Sequence, residues 1–144
     1  MTSPNILLVE APYYSEVSEE LAAGAIAALE EAGASFERVA VPGALEIPGV
    51  IVLAEEAGRF DGYVALGCVI RGETSHYDIV AGESARALMA LTLDGLAIGN
   101  GILTCENREQ AMVRARVADK NKGADAANAA LAMISLAGEF AIDG

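Results

Sequence analysis

The sequence predicts an α/β domain with a parallel sheet covered by helices on both faces, and three observations support this fold class. The 144 residues are the usual size of one domain, 53% of them are hydrophobic, and we expect residues 1–144 to share one core. Short apolar runs alternate with segments of helical periodicity. Residues 63–70 form a continuous apolar run, which is typical of a strand buried on both faces. Right-handed crossovers between such strands place helices on both sides of the sheet.

The chain begins with a predicted strand and helix. Residues 5–9 form a short apolar run, and apolar side chains recur at helical spacing over residues 17–29. Ser15 or Ser18 is the expected N-cap of this helix, and Gly33 is expected to end it.

Two further strands and helices follow in alternation. Residues 36–41 are the second strand, and a helix is expected from about 45 to 57. Pro48 falls in the first turn of that helix, where proline is tolerated. Residues 63–70 are the third strand, and a long helix over about 77–93 follows.

The last third of the chain adds one strand and two helices. Residues 97–103 are the fourth strand, Asn107 opens a capping-box helix to about residue 117, and an alanine-rich helix covers about 123–141. Ligands of such sheets bind beyond the carboxyl ends of the strands. We therefore expect chemistry in the loops after Val9, Val41, Ile70 and Leu103.

Composition excludes several classes of function. A formal net charge of −12 disfavours binding to nucleic acid, since that affinity comes from cationic side chains that neutralise phosphates. The apolar runs are far shorter than the roughly 20 residues of a membrane span, and the N-terminal sequence lacks a secretory pattern, so we expect a cytoplasmic protein. One histidine and two scattered cysteines fit neither a zinc site nor a disulfide framework, so we expect no metal.

The loop over residues 71–76 is the first candidate for chemistry. It ends at a predicted helix start, where free N–H groups favour an anion such as phosphate, and His76 could move protons near neutral pH. The alternative is that Thr74 and Ser75 simply cap the helix. A hydrolase triad of Ser75, His76 and Asp78 is disfavoured because sequence neighbours seldom reach that geometry and no GxSxG pattern occurs.

Other candidates stay open on the residues alone. Arg114 within a helix and Lys122 at a helix junction could bind an anion or could be solvated surface residues. Tyr13 and Tyr14 follow the first strand, where a ring could stack on a planar ligand or cover the core. No phosphate-loop pattern GxxxxGK[ST] occurs, which disfavours that class of nucleotide-binding enzyme.

Several blocks of sequence together resemble the lumazine synthase family. They are VPGALEIP at 41–48, GCVIRGETSHYDIV at 67–80, and GILTCEN, EQA, RA and NKG between 101 and 123. The resemblance implies a flavodoxin-like three-layer sandwich with a four-stranded parallel sheet. It also implies a cofactor-free transferase of riboflavin biosynthesis, which condenses 5-amino-6-(D-ribitylamino)uracil with 3,4-dihydroxy-2-butanone 4-phosphate. The products are 6,7-dimethyl-8-ribityllumazine, phosphate and water.

The resemblance also implies roles for individual residues. His76 matches the proton-transfer residue, Arg114 matches an arginine that reaches the phosphate from an adjacent subunit, and Lys122 and Asp125 match helpers nearby. The residues that match substrate-binding positions are Tyr13, Ala44, Leu45, Glu46, Cys68, Val69, Ile70, Glu73, Thr74 and Asn100. Family members form homopentamers, some of which assemble into hollow shells.

The chain departs from the family pattern in two places. Pro12-Tyr13-Tyr14 stands where Arg-Phe-Asn is common, and Asn100 stands where a phenylalanine is usual. Residues 116–120 lack the glycine-containing turn of shell-forming members, which favours a free pentamer. The alternatives are a flavin- or lumazine-binding module without turnover and a structural shell protein. His76 together with Arg114 argues against both.

Overall fold

The computed structural model describes residues 3–141 and has a four-stranded sheet at its centre. All strand pairs are parallel, and the strand order is β2-β1-β3-β4, so β2 and β4 form the edges. The strands are β1 Asn5–Glu10, β2 Ser35–Ala40, β3 Gly62–Ile70 and β4 Ile98–Cys105.

Within residues 3–141, five helices cover the two faces of this sheet. They are α1 Ser15–Glu31, α2 Ile47–Ala57, α3 His76–Leu93, α4 Arg108–Ala115 and α5 Lys122–Ala141, and a short 3₁₀ turn, Ala44–Glu46, precedes α2. Helices α1, α4 and α5 pack on one face, and α2 and α3 pack on the other. The predicted three-layer α/β fold is confirmed.

The core has one part on each face of the sheet, as the alternation within β1 shows. Ile6 and Leu8 pack with α1 and α5, whereas Leu7 and Val9 pack with α2 and α3. Strand β3 is buried from Gly62 to Val69, as its continuous apolar run predicts. Both faces are therefore apolar, and the polar chemistry is left to the strand ends.

Several element boundaries differ from those predicted. The N-cap of α1 is Tyr14 in extended conformation without a side-chain cap bond, so neither predicted serine caps the helix. Half-buried Tyr14 packs against the core, and this tertiary contact sets the helix start. Helix α4 ends at Ala115, two residues earlier than predicted, because Arg116 leaves the helical region with ψ 129.

Other local predictions are confirmed. Gly33 follows α1 with φ 75, in the left-handed region that favours glycine. The Asn107 side chain accepts a hydrogen bond from Gln110 N at 2.8 Å, which caps α4 as expected. The return bond of the capping box is shifted by one residue, since Gln110 Oε1 accepts from Glu106 N. None of the helices between residues 3 and 141 combines the length and apolarity needed to cross a membrane.

Candidate active site

A cleft of about 260 Å³ lies at the carboxyl ends of β1 and β3. It is the place where a doubly covered parallel sheet is expected to bind a ligand. Its lining residues are Ala11, Tyr13, Tyr14, Pro42, Gly43, Ala44, Cys68, Val69, Ile70, His76 and Val80.

The different lengths of β1 and β3 open this cleft. Pairing of β1 with β3 ends at Glu10 and Leu66, and Ala11 N then donates to Leu66 O at 2.9 Å. Strand β3 continues to Ile70 and pairs there with β4 on its other side. Residues 68–70 line the cleft beyond the end of β1, so their backbone groups on that side are available to a ligand.

His76 is the first residue of α3 and reaches the cleft from the loop that follows β3. Its backbone N–H donates to Thr74 Oγ1 at 3.2 Å, and Ser75, which is the N-cap residue, makes no side-chain cap bond. The N–H groups of residues 72–75 have no hydrogen-bond acceptor within residues 3–141. Donors of this kind at a helix start can bind an anion.

Arg71 fixes the start of α3 rather than presenting a free cation to the loop. Its guanidinium lies over the Tyr77 ring at 4.2 Å from the centroid and forms ion pairs with Glu106 at 2.8 Å and Asp78 at 3.4 Å. The carboxylates hold the pKa of Arg71 above its usual value, with the hydrogen bond to Glu106 as the main cause. The arginine therefore joins the loops after β3 and β4.

Tyr13 and Tyr14 form one wall of the cleft. Their rings meet edge to face with centroids 4.8 Å apart, and Tyr13 is 76% exposed whereas Tyr14 packs on the core. Burial raises the pKa of Tyr14 above its usual value. The exposed ring of Tyr13 can stack on a planar ligand, because Tyr14 supports it from the side.

The Cys68 thiol in the cleft wall is not poised to act as a nucleophile. Desolvation by burial raises the pKa of Cys68 to about 12, with a smaller contribution from Cys105. A thiol reacts as the thiolate, so at neutral pH this side chain is an apolar filler. Both cysteines are buried and free.

A second cleft, of about 430 Å³, lies along the edge strand β4 where α4 and α5 meet it. Polar side chains enter it from the strand and from both helices. Its lining residues are Asn100, Gly101, Ile102, Leu103, Thr104, Arg114, Lys122, Asp125, Ala126 and Ala129.

Arg114 differs in charge environment from the other arginines. Arg38, Arg59, Arg71, Arg86, Arg108 and Arg116 each have a carboxylate within 4.0 Å. Within residues 3–141, Arg114 has none, and its NH1 donates instead to the Gln110 carbonyl at 3.0 Å. Lys122 beside it is paired with Asp125 at 3.3 Å. The second cleft thus holds an uncompensated guanidinium, which can receive an anion.

The structure divides the residues named from sequence into two groups. Around the first cleft it brings together Tyr13, Ala44, Cys68, Val69, Ile70 and His76, and around the second it places Asn100, Arg114, Lys122 and Asp125. The two clefts have no lining residue in common. Leu45, Glu46, Glu73 and Thr74 line neither cleft, although they lie on the adjoining loops.

Sequence reasoning missed some lining residues that carry no obvious chemistry. Gly43 and Val80 form walls of the first cleft, and Thr104 lies in the second. Glu46 Oε1 lies 3.2 Å from where a Cβ on Gly43 would stand, which puts this carboxylate beside the cleft wall. The position of Pro42-Gly43 in the loop that follows β2 was the available signal.

Comparison with known proteins matches this arrangement to one family. The family model described as 6,7-dimethyl-8-ribityllumazine synthase matches residues 3–138. A protein of that name from Sphingopyxis alaskensis is 59% identical over 96% of this chain and 98% of its own length. Proteins of the same name from Novosphingobium aromaticivorans and Bartonella bacilliformis are 62% and 57% identical, over 90% and 96% of this chain and 94% and 93% of their own lengths.

Proposed function

Because the chain belongs to the 6,7-dimethyl-8-ribityllumazine synthase family, we propose that it catalyses the family's reaction at a site that two neighbouring copies build together. It condenses 5-amino-6-(D-ribitylamino)uracil with 3,4-dihydroxy-2-butanone 4-phosphate to 6,7-dimethyl-8-ribityllumazine, phosphate and water. The first cleft of one copy holds the pyrimidine, and the second cleft of the next copy faces it.

The residues of the first cleft suit a planar, hydrogen-bonding ligand. Tyr13 offers an exposed ring for stacking, and residues 68–70 offer backbone groups beyond the end of β1 to a uracil edge. Ala44, Leu45 and Glu46 follow the turn at the cleft wall, where they would contact the ribityl chain. This cleft therefore binds the amine substrate.

The phosphate substrate requires cations and N–H donors. The turn of Glu73 and Thr74 leads into α3, where the N–H groups of residues 72–75 are available to phosphate oxygens. Arg114 of the neighbouring copy supplies the guanidinium, with Lys122 and Asp125 beside it and Asn100 along the edge strand. In a chain of net charge −12, such a local cation is what retains an anionic substrate.

Besides binding both substrates, the protein must transfer protons and stabilise an anion in this reaction. The amine attacks the ketone and forms an imine with loss of one water, a proton is removed from carbon as phosphate leaves, and ring closure releases a second water. His76 moves the protons, and Arg114 stabilises the departing phosphate. Holding two reactants together can be equivalent to about 10⁵ M or more, so modest acid–base groups suffice.

One observation carries the shared site: Arg114, the arginine without a carboxylate partner among residues 3–141, lies in a cleft separate from that of His76. Within one chain the two residues line separate clefts, and in a closed ring Arg114 of a neighbouring copy would face the cleft of His76. We propose a homopentamer without a larger shell, and a cytoplasmic location stays a prediction. A fully active monomer in sedimentation and assay at one concentration would contradict the ring.

Subunit mixing tests the shared site directly. His76→Ala and Arg114→Ala proteins are dissociated, mixed in equal amounts and reassembled, and formation of the lumazine is followed by its absorbance and fluorescence. Random placement makes roughly one quarter of the interfaces intact on both sides, so activity should return to about that fraction.

The matched control replaces the Arg114→Ala partner by the double variant His76→Ala/Arg114→Ala. No interface in that mixture has an intact histidine and half also lack the arginine, so its activity should be no higher than that of His76→Ala alone. Mass labelling verifies that subunits exchange. If exchange occurs and the first mixture gains nothing over its control, the two residues do not meet across an interface.

A further inference from the structure

The first turn of α5 packs unusually close to its neighbours. A Cβ added to Gly99 in β4 would overlap the carbonyl oxygen of Ala126, and one added to Gly123 would overlap the carbonyl oxygen of Leu21 in α1. Glycine at these two positions lets the backbone of α5 touch both the sheet and α1. The helix start is therefore wedged between β4 and α1, where Lys122 and Asp125 line the second cleft.

Asn121 joins this turn to the rest of the molecule in an unusual conformation. Its φ is 48, and within the described part of the chain it is the one non-glycine residue with positive φ. Its N–H donates to Arg116 O at 3.0 Å, and its carbonyl accepts from Ala124 N at 3.1 Å and Asp125 N at 3.3 Å. The residue thus links the end of the preceding turn to the first hydrogen bonds of α5.

The Asn121 side chain does not cap the helix that it precedes. An asparagine at this place commonly accepts a hydrogen bond from the first turn. Here Oδ1 is buried with no hydrogen-bond donor among residues 3–141, and it occupies the space that a Cβ on Gly24 of α1 would take. A buried amide oxygen without a hydrogen-bond donor destabilises the fold. A role other than capping would explain why Oδ1 nevertheless lies against Gly24.

We infer that Asn121 and Gly24 are positioning residues that set the start of α5 and so hold Lys122 and Asp125 beside Arg114. This inference rests on the proposed function, in which the second cleft with Arg114 binds the phosphate substrate. The Asn121 amide fills the space next to Gly24, and its left-handed backbone leads the chain into α5. A shift at Asn121 or Gly24 would therefore move the side chains of Lys122 and Asp125 together. Neither residue is among those that line the second cleft.

The test compares the two substrates in steady-state kinetics. Gly24→Ala inserts a methyl group where Asn121 Oδ1 lies, which should displace the first turn of α5. We expect the KM for the butanone phosphate to rise by up to about a hundredfold, since a misplacement of about 1 Å can cost about 10²-fold. The KM for the ribitylaminouracil should change little. Gly138→Ala is the matched control, since it lies in α5 with nothing within 4 Å of the added Cβ, and it should leave both KM values unchanged.

Two further variants separate positioning from folding. Asn121→Gly in the Gly24→Ala background removes Oδ1 and keeps the left-handed backbone, and the nearest neighbour of the new Cβ is then Ala124 N at 3.3 Å. We expect this double variant to recover most of the phosphate KM. Asn121→Ala, which strains the positive φ, should raise that KM more than Asn121→Gly does. It replaces Gly24→Ala in the test if the latter gives no folded protein.

Arg114→Ala measured in parallel separates the two ways to fail. If Arg114→Ala raises the KM for the butanone phosphate but folded Gly24→Ala and Asn121→Ala do not, the positioning inference is overturned. The proposal that the second cleft binds this substrate is then retained. If the KM for the butanone phosphate is unchanged in all three variants, the proposal that the second cleft binds this substrate is itself overturned. A lower unfolding temperature with both KM values raised alike would mean that Asn121 and Gly24 only stabilise the fold, which also overturns the inference.

Discussion

Replacement of Arg114 by alanine is the most direct test of the phosphate half of the site. The side chain lies in the last turn of α4, lines the second cleft and has no carboxylate within 4.0 Å among residues 3–141. Its NH1 donates to the Gln110 carbonyl at 3.0 Å, and a guanidinium has further N–H donors for a phosphate. Alanine is a good helix former, so the fold should survive.

The expected loss follows from the kind of contact removed. A hydrogen bond to a charged group contributes about 1.5–3 kcal/mol net, which corresponds to roughly a 10- to 150-fold change. We expect kcat/KM for the butanone phosphate to fall by that factor in Arg114→Ala. Binding of the ribitylaminouracil should be nearly unchanged, because the first cleft is left intact. Arg114→Lys should recover only part of the loss, since lysine lacks the planar pair of donors.

A neighbouring arginine supplies the matched control for this assay. Arg116 lies just beyond α4, is paired with Asp119 at 3.5 Å and does not line the second cleft. Arg116→Ala changes the net charge by the same amount, so it should leave kcat/KM for the phosphate substrate within about twofold, as a surface ion pair contributes little. If the two alanine variants behave alike in lumazine formation, net charge and not a phosphate contact explains the effect, and the reasoning on Arg114 is refuted.

Two more predictions concern the first cleft. His76→Ala should slow turnover by about 10² to 10⁴ while calorimetry finds the pyrimidine bound with its ordinary affinity, and loss of that binding in a folded variant would make His76 a binding residue instead. Because burial raises the pKa of Cys68 to about 12, its thiol should stay protonated and resist alkylation at pH 8, then react faster as the pH approaches that value. Mass analysis of the Cys68 peptide from folded and urea-unfolded protein measures this, and equal rates at pH 8 would show that the thiol is accessible and ionised.

The order of strands and helices was predictable because the burial of an element determines the pattern of apolar residues along its sequence. The continuous apolar run of β3 and the helical spacing of α1 both reflect packing against the layers on either side. The loop before His76 could be named for the same reason, since it follows a strand and precedes a helix. Each of these features depends on neighbours in sequence.

The features that sequence missed depend on distant contacts. Tyr14 starts α1 because its ring packs on the core, so the choice against Ser15 is made by tertiary structure. The Asn121 side chain occupies space that Gly24, almost a hundred residues earlier, leaves free. That Arg114 has no carboxylate partner within residues 3–141 becomes apparent only when the structure shows which carboxylates pair with the other arginines. A single sequence does not record such pairings.

The sizes of the two clefts give a physical reason for a site made by two copies. Clefts that enclose small ligands usually measure about 300–1,000 Å³. The first cleft, at about 260 Å³, lies below that range, although under the proposed function it holds a pyrimidine with a ribityl chain and adjoins a second reactant. The second cleft, at about 430 Å³, runs along the exposed edge strand β4 and carries the cation that the first lacks. Placing the edge of one copy over the first cleft of the next would enclose enough volume for both substrates and exclude water from the departing phosphate. Assembly and catalysis would then have the same structural requirement, and a variant that weakens the interface should lose activity upon dilution at the concentration where the ring dissociates.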